Sequence, residues 1–238
     1  MNLPIISAQS FSPWKTTMAA YDLEEQEQLD ELKTWWKLHG NLITNILLAI
    51  ALAAAGWQGW TWWQRQQSAQ AAGVFAGLQT AATQRDTKRV RELAGELVDK
   101  YSITEYAGMG ALLAARVQVD SGDPKSARAQ LAWASENAKD AGMRDLARLR
   151  LATLLLDEKA YDEALKQLAA EPAAAFAPRF SELRGDVHAA QGTVAEARSA
   201  YDAALAKLDS LAKEDEARLR GGYRDILQVK RDSLGAAK

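Results

Sequence analysis

His188 is one of two histidines in this chain of 238 residues; the other, His39, stands beside an apolar run, and cysteine is absent. Without thiols neither a disulfide nor a thiolate metal site can form, and no histidine cluster can be assembled in the long charged part of the chain. A Ser-His-Asp arrangement would have to be built around His188 alone, and no companion residue marks such a site. The paired acids Asp157-Glu158 and Asp162-Glu163 are of the type that performs general acid–base work, but on helices this rich in charge they read as solvated faces. No G-x-x-x-x-G-K, H-E-x-x-H or G-x-S-x-G motif occurs. The sequence therefore predicts no catalytic residue, no cofactor or cofactor-binding residue and no metal ligand. An enzyme would need a polar pocket around His188.

Two basic runs raise the question of nucleic acid: Arg85, Lys88, Arg89 and Arg91, and later Arg218, Arg220, Arg224, Lys230 and Arg231. Asp86 and Glu92 interleave the first run and stacking aromatics are lacking nearby, so both read as exposed helix faces. Charge balance agrees. Three of the 29 Lys and Arg and six of the 31 Asp and Glu precede Leu42, leaving the remainder almost neutral, with neither a basic footprint nor an acidic tail.

These residues are carried by two kinds of sequence. The first is a window without Asp, Glu, Lys or Arg from Leu38 to Gln64. As a helix, Leu42–Trp63 would be roughly 33 Å long, close to the thickness of a bilayer's hydrocarbon core. Trp35 and Trp36 stand before it and Trp57, Trp60, Trp62 and Trp63 at its end, where indole rings settle at membrane interfaces, so these six are predicted anchors. A cleaved signal peptide could use Ala53-Ala54-Ala55 as its processing site, but the preceding stretch is long and acidic instead of short and basic. A buried core helix is the other alternative. Lys33 and Lys37 on one side against Arg65 on the other favour, by one charge, a cytoplasmic N-terminus. The predicted organisation is a short acidic segment at 1–41, a transmembrane helix at 42–63 and a second region at 64–238.

That second region is rich in Ala, Leu, Glu, Lys, Arg and Gln, and reads as all-α. Pro124, Pro172 and Pro178 fall at junctions between helices. Segments 111–134, 148–171 and 181–204 align at offsets of 37 and 33 residues. Each sets a small residue on a first helix (Ala115, Ala152, Gly185), then a turn, then Ala on a second helix (Ala127, Ala164, Ala197) followed four residues later by a bulky one (Leu131, Leu168, Tyr201). Small residues there let antiparallel helices approach closely, and the bulky one fills the groove toward the next pair. Asp123 is predicted to cap a helix that Pro124 begins, and Thr193 with Glu196 to form a reciprocal capping box. A fourth, weaker unit is expected to start around Ala72, with Leu78 and Val90 at the matching places. The last helix, after Gly221-Gly222, either caps the array or docks elsewhere. An irregular Ala-rich bundle is the alternative to a repeat.

The turns GDPKSA, KAYDEA and GTVAEA resemble those of the tetratricopeptide repeat (TPR), although its early tryptophan is missing from each first helix. With the acidic head and the span ending in tryptophans, this TPR-like helical-hairpin array resembles the YfgM-like family of ancillary SecYEG translocon subunits. The likeness extends over about Met18 to Leu234. Its most telling stretches are LRLATLLLDEKAYDEALKQL at 149–168 and ELRGDVHAAQGTVAEARSAY at 182–201. The resemblance implies a bacterial inner-membrane protein crossing once, with a cytoplasmic N-terminus and a periplasmic TPR-like domain. It implies as partners the SecYEG translocon, a PpiD-type membrane-anchored chaperone and secretory client proteins, whose hand-over to periplasmic chaperones the protein would assist. It carries no functional motif residues. Residues 1–17 precede the family-like start, so Met18 is the expected true beginning. The other readings are a membrane-tethered scaffold for envelope assembly or cell division, and an adaptor facing the cytoplasm.

Overall fold

In the computed structural model the backbone is described for residues 15–211 and 214–234, and side chains for 29–30, 32–211 and 222–234. The expectation that the protein begins at Met18 falls largely on residues outside this set. The described residues contain helices and no strand, and the chain divides into a unit of residues 1–62 and a unit of residues 63–238.

Helix α1 (Lys15–Thr83) supplies the first unit and opens the second. Among the described residues one helix is long and apolar enough to cross a membrane; its apolar window has mean hydropathy 1.7 and is only 6% buried. Leu42, Ile46, Leu48, Ile50 and Leu52 are all at least half exposed. A core helix of a soluble protein would bury such residues, because each Leu or Ile removed from water contributes about 1.5–3 kcal/mol. The buried-core alternative therefore fails.

From Trp63 onward the second unit is a run of helical hairpins. The end of α1 pairs with α2 (Thr87–Lys100), then α3 (Glu105–Asp120) with α4 (Pro124–Asn137), α5 (Ala141–Asp157) with α6 (Tyr161–Leu168), and α7 (Ala177–Gln191) with α8 (Val194–Leu211); α9 (Glu214–Ser233) follows. Neighbouring helices pack in chain order, and the first helices α3, α5 and α7 also touch their successors, as stacked repeats require. The expected fourth unit is real: Ala71, Phe75, Leu78 and Ala81 share a core with Val90, Leu93 and Leu97. In the later hairpins Ala115, Ala127, Leu131, Ala152, Ala164 and Leu168 are buried in one continuous cluster.

Four copies of one turn close the hairpins. Arg85, Gly122, Lys159 and Gly192 all have positive φ, at 57°, 79°, 61° and 79°. After each, an amide reaches back five residues to the first helix: Asp86 N to Ala81 O, Asp123 N to Gln118 O, Ala160 N to Leu155 O and Thr193 N to His188 O, at 2.8–3.0 Å. This left-handed C-terminal cap satisfies carbonyls that a helix end would leave unpaired. Glycine adopts it without steric cost; Arg85 and Lys159 do not.

Three helix starts, those of α2, α4 and α5, are fixed by aspartates. Asp86 Oδ1 accepts from Arg89 N at 3.0 Å, Asp123 Oδ1 from Ser126 N at 3.1 Å, and Asp140 Oδ1 from Met143 N at 2.8 Å. Pro124 begins α4 and Pro178 lies in the first turn of α7, as expected. The Thr193–Glu196 capping box does not form. Thr193 Oγ1 donates to His188 O at 3.1 Å instead, because the left-handed cap at Gly192 turns the hydroxyl back onto the end of α7.

Candidate partner-binding groove

The repeat offsets put Arg116 of α3, Thr153 of α5 and Asp186 of α7 at one register position. Asp120 and Asp157 share a second. What the structure places against these positions differs along the array, and that difference defines the candidate site.

On α7 the face is occupied by the chain's own last helix. Lys230 Nζ lies 2.8 Å from Glu182 Oε1 and 2.8 Å from both oxygens of Asp186, while Tyr223 Oη donates to Glu182 Oε2 at 2.8 Å. Tyr201 Oη donates to Asp186 Oδ1 at 2.8 Å, and the Arg179 guanidinium sits 3.9 Å over the Tyr223 ring while donating to Glu182. Apolar support is narrow: Leu227 is fully buried against Ala204, Leu205 and Leu208 of α8. The last helix thus docks on the fourth hairpin, α7–α8. Lys230, expected on a solvated basic face, is instead half-buried between two carboxylates, because α9 lays that side of itself on α7.

Electrostatics here is mutual. Burial works against an ionised Glu182 most strongly, but hydrogen bonds from Lys230 and Tyr223 and the nearby charges offset it and hold the carboxyl below its ordinary value. Burial likewise works against a charged Lys230, and its bonds to Asp186 and Glu182 overcome that and raise its pKa. Tyr201 and Tyr223 are pushed well above the phenol range, by burial first and then by the carboxylates they serve.

Between α3 and α5 the equivalent positions, Arg116 and Thr153, line a cavity of about 320 Å³. Its apolar lining comes from Ala115, Val119, Leu131 and Leu154; Arg116, Asp120, Arg150 and Asp157 supply the charges. Arg116 is answered by Asp120 at a loose 3.9 Å. Arg150 donates to Leu112 O at 3.4 Å and pairs with no described carboxylate. Burial lowers its pKa, and the like charge of Arg116 adds to the effect. Such a surface can hold a side chain and a charge; it has no nucleophile with an adjacent base.

The residues expected to matter lie elsewhere. All six tryptophans are exposed on the helix that carries the apolar window; Trp35 stacks on His39 with centroids 5.3 Å apart, and His39 Nδ1 is 3.2 Å from Trp35 O. His188 closes α7, its Nδ1 3.1 Å from Thr193 Oγ1. Among the described residues no group of three His, Asp or Glu could hold a metal. Glu158 and Glu163 both pair with Arg128, which ties one hairpin to the next, and Arg91 pairs with Asp123 at 2.6 Å in the same way. Arg116 was legible from the repeat register; Arg150 and the α9 lock carry no periodic signal.

Comparison with known proteins adds what geometry alone does not. Residues 33–236 match the family model of the tetratricopeptide repeat-like domain. A protein of Neisseria gonorrhoeae named ancillary SecYEG translocon subunit is 35% identical over 91% of this chain and 100% of its own length. Proteins of that name from Haemophilus influenzae and Escherichia coli are 29% and 25% identical, over 78% and 76% of this chain and 90% and 87% of theirs. No solved structure matches.

Proposed function

This chain belongs to the family of ancillary SecYEG translocon subunits built on a tetratricopeptide repeat-like domain, and on that premise we propose that it acts as a single-pass inner-membrane protein holding a partner-binding domain beside the translocon. In this reading residues 42–63 cross the membrane with the N-terminus in the cytoplasm. The six tryptophans anchor the span at both interfaces, and the helical hairpins lie in the periplasm. There they bind partner proteins, a PpiD-type membrane-anchored chaperone among them, and help pass secreted proteins from the channel to periplasmic chaperones.

The full-length likeness to the gonococcal relative carries the reading. The exposed apolar window of α1 supports the membrane part, since it is long and apolar enough to cross a bilayer and only 6% of it is buried. The cavity between α3 and α5 supports the binding part, since stacked hairpins act through the surfaces they present. The family is not an enzyme family, which agrees with a role in binding.

Site-specific photocrosslinking in native membranes tests the proposal. A photoreactive residue at Trp57 or at Thr153 of the full-length chain is expected to yield adducts with a SecYEG subunit or a secretory chaperone. Membrane-embedded protein that captures neither from either position contradicts it.

A further inference from the structure

We propose that two copies of this chain exchange α9 about a two-fold axis, α8 and α9 joining into one uninterrupted helix in each copy and each α9 docking on the α7–α8 hairpin of the other. The occupant is a second copy because every contact the exchange needs is one this sequence already makes with itself.

The register of the docked helix is the first support. Arg224 pairs with Asp209, and Arg231 with Asp202 at 3.4 Å. The two pairs lie seven residues apart on both helices, so α9 runs antiparallel to α8 in a single register centred between Glu216 and Ala217. Two unbroken helices laid antiparallel about that point form the same pairs between copies, twice over, with no reversal of either chain. Leu227 then meets Ala204, Leu205 and Leu208 of the other copy, and Lys230 meets its Glu182 and Asp186. Such an interface is isologous and closes at two copies.

The second support is the sequence of the junction. The four hairpin turns before it each hold a residue at positive φ, namely Arg85, Gly122, Lys159 and Gly192. From Val194 to Arg220 there is no Gly, Pro or Asn, and only Ala212 and Lys213, both good helix formers, stand between α8 and α9. Leu205, Leu208, Ala212, Leu219, Tyr223 and Leu227 recur at helical spacing straight through it. Local preference thus favours continuing α8 over turning back, a conflict that exchange removes. The third support is how α9 is held. Among its described side chains only Leu227 is buried, and the remaining contacts are hydrogen bonds and ion pairs at the edges. Closed and exchanged forms share these contacts, so the balance between them is set by the reversal and by the local concentration of copies.

The test co-expresses full-length copies with two different affinity tags, one carrying Asp209→Cys and the other Arg224→Cys; the chain has no cysteine of its own. Losing this exposed ion pair costs little, since Leu227 and Lys230 remain. A short bismaleimide added to isolated membranes is expected to give an adduct carrying both tags. Identical single-cysteine copies should give little, because their thiols would stand roughly 22 Å apart along the paired helices. Lys213→Pro in both copies should cut the two-tag adduct about tenfold or more, because proline breaks a helix interior but is accepted where a helix begins. A single copy with both cysteines should then change from a linked dimer to an internally bridged monomer, read by mass spectrometry. Internally bridged monomers alone, absence of the two-tag adduct, or a two-tag adduct unchanged by Lys213→Pro overturns the proposal. The exchange needs no translocon, so its failure leaves that association standing.

Discussion

The Tyr201 ring lies so close over Gly185 that a Cβ on that glycine would stand 2.5 Å from Cε1 of the tyrosine. This is the tightest form of the contact that Ala115 and Ala152 make possible in the two preceding hairpins, and it brings the Tyr201 hydroxyl to Asp186. One glycine thereby sets both the approach of α8 to α7 and the acid that receives α9.

Gly185→Ala is expected to destabilise the repeat unit by about 1–3 kcal/mol through overpacking, despite the better helix propensity of alanine. Combining it with Tyr201→Leu should cost less than the sum of the two single changes, because the smaller side chain makes room. Urea unfolding of the four proteins measures the coupling; additive effects would mean that the ring is free to move aside.

The two hairpin turns closed by non-glycine residues invite the opposite change. Lys159→Gly should stabilise by up to about 1 kcal/mol, because a residue with a Cβ strains at φ 61°. Gly122→Ala, at φ 79°, should destabilise by about 1 kcal/mol. Chemical denaturation checks both, and a stabilising Gly122→Ala would contradict the turn geometry.

The α9 lock has a defined pH window. The pKa of Glu182 is lowered on folding, so its contribution is present above its unfolded value near 4.5 and is lost as pH falls through the folded value below that. The pKa of Lys230 is raised, so its contribution is complete below 10.5 and is lost as pH rises through the folded value above that. Docking should therefore be flat across neutral pH and fail at both extremes. Lys230→Met should cost about 1–3 kcal/mol by leaving Glu182 and Asp186 without their shared donor. Amide exchange at Leu227 follows the docking; unchanged protection in Lys230→Met would show that the apolar contact suffices alone.

The repeats were legible because packing against a neighbour at fixed offsets leaves a periodic trace, in Ala115, Ala152 and Gly185 and in Leu131, Leu168 and Tyr201. The apolar window was legible for a similar reason: a span must be uncharged over its whole length. The Thr193 hydroxyl was misjudged because the T-x-x-E spacing is local, while the left-handed residue before it decides where the hydroxyl points. Lys230 was misplaced on a solvated face because its partners lie on α7, 44 and 48 residues away. Arg150 belongs to the cavity through the stacking of α5 on α3, which no sequence interval reports.

The central claim is that one helix crosses the inner membrane and carries the hairpins on its outer side. Since the chain lacks cysteine, single variants Asp30→Cys and Lys139→Cys can be labelled without background. In intact spheroplasts a membrane-impermeant maleimide should label Lys139→Cys at once and Asp30→Cys only after lysis. Labelling of Asp30→Cys in intact cells with protection of Lys139→Cys, or labelling of both in a released soluble protein, would contradict the account.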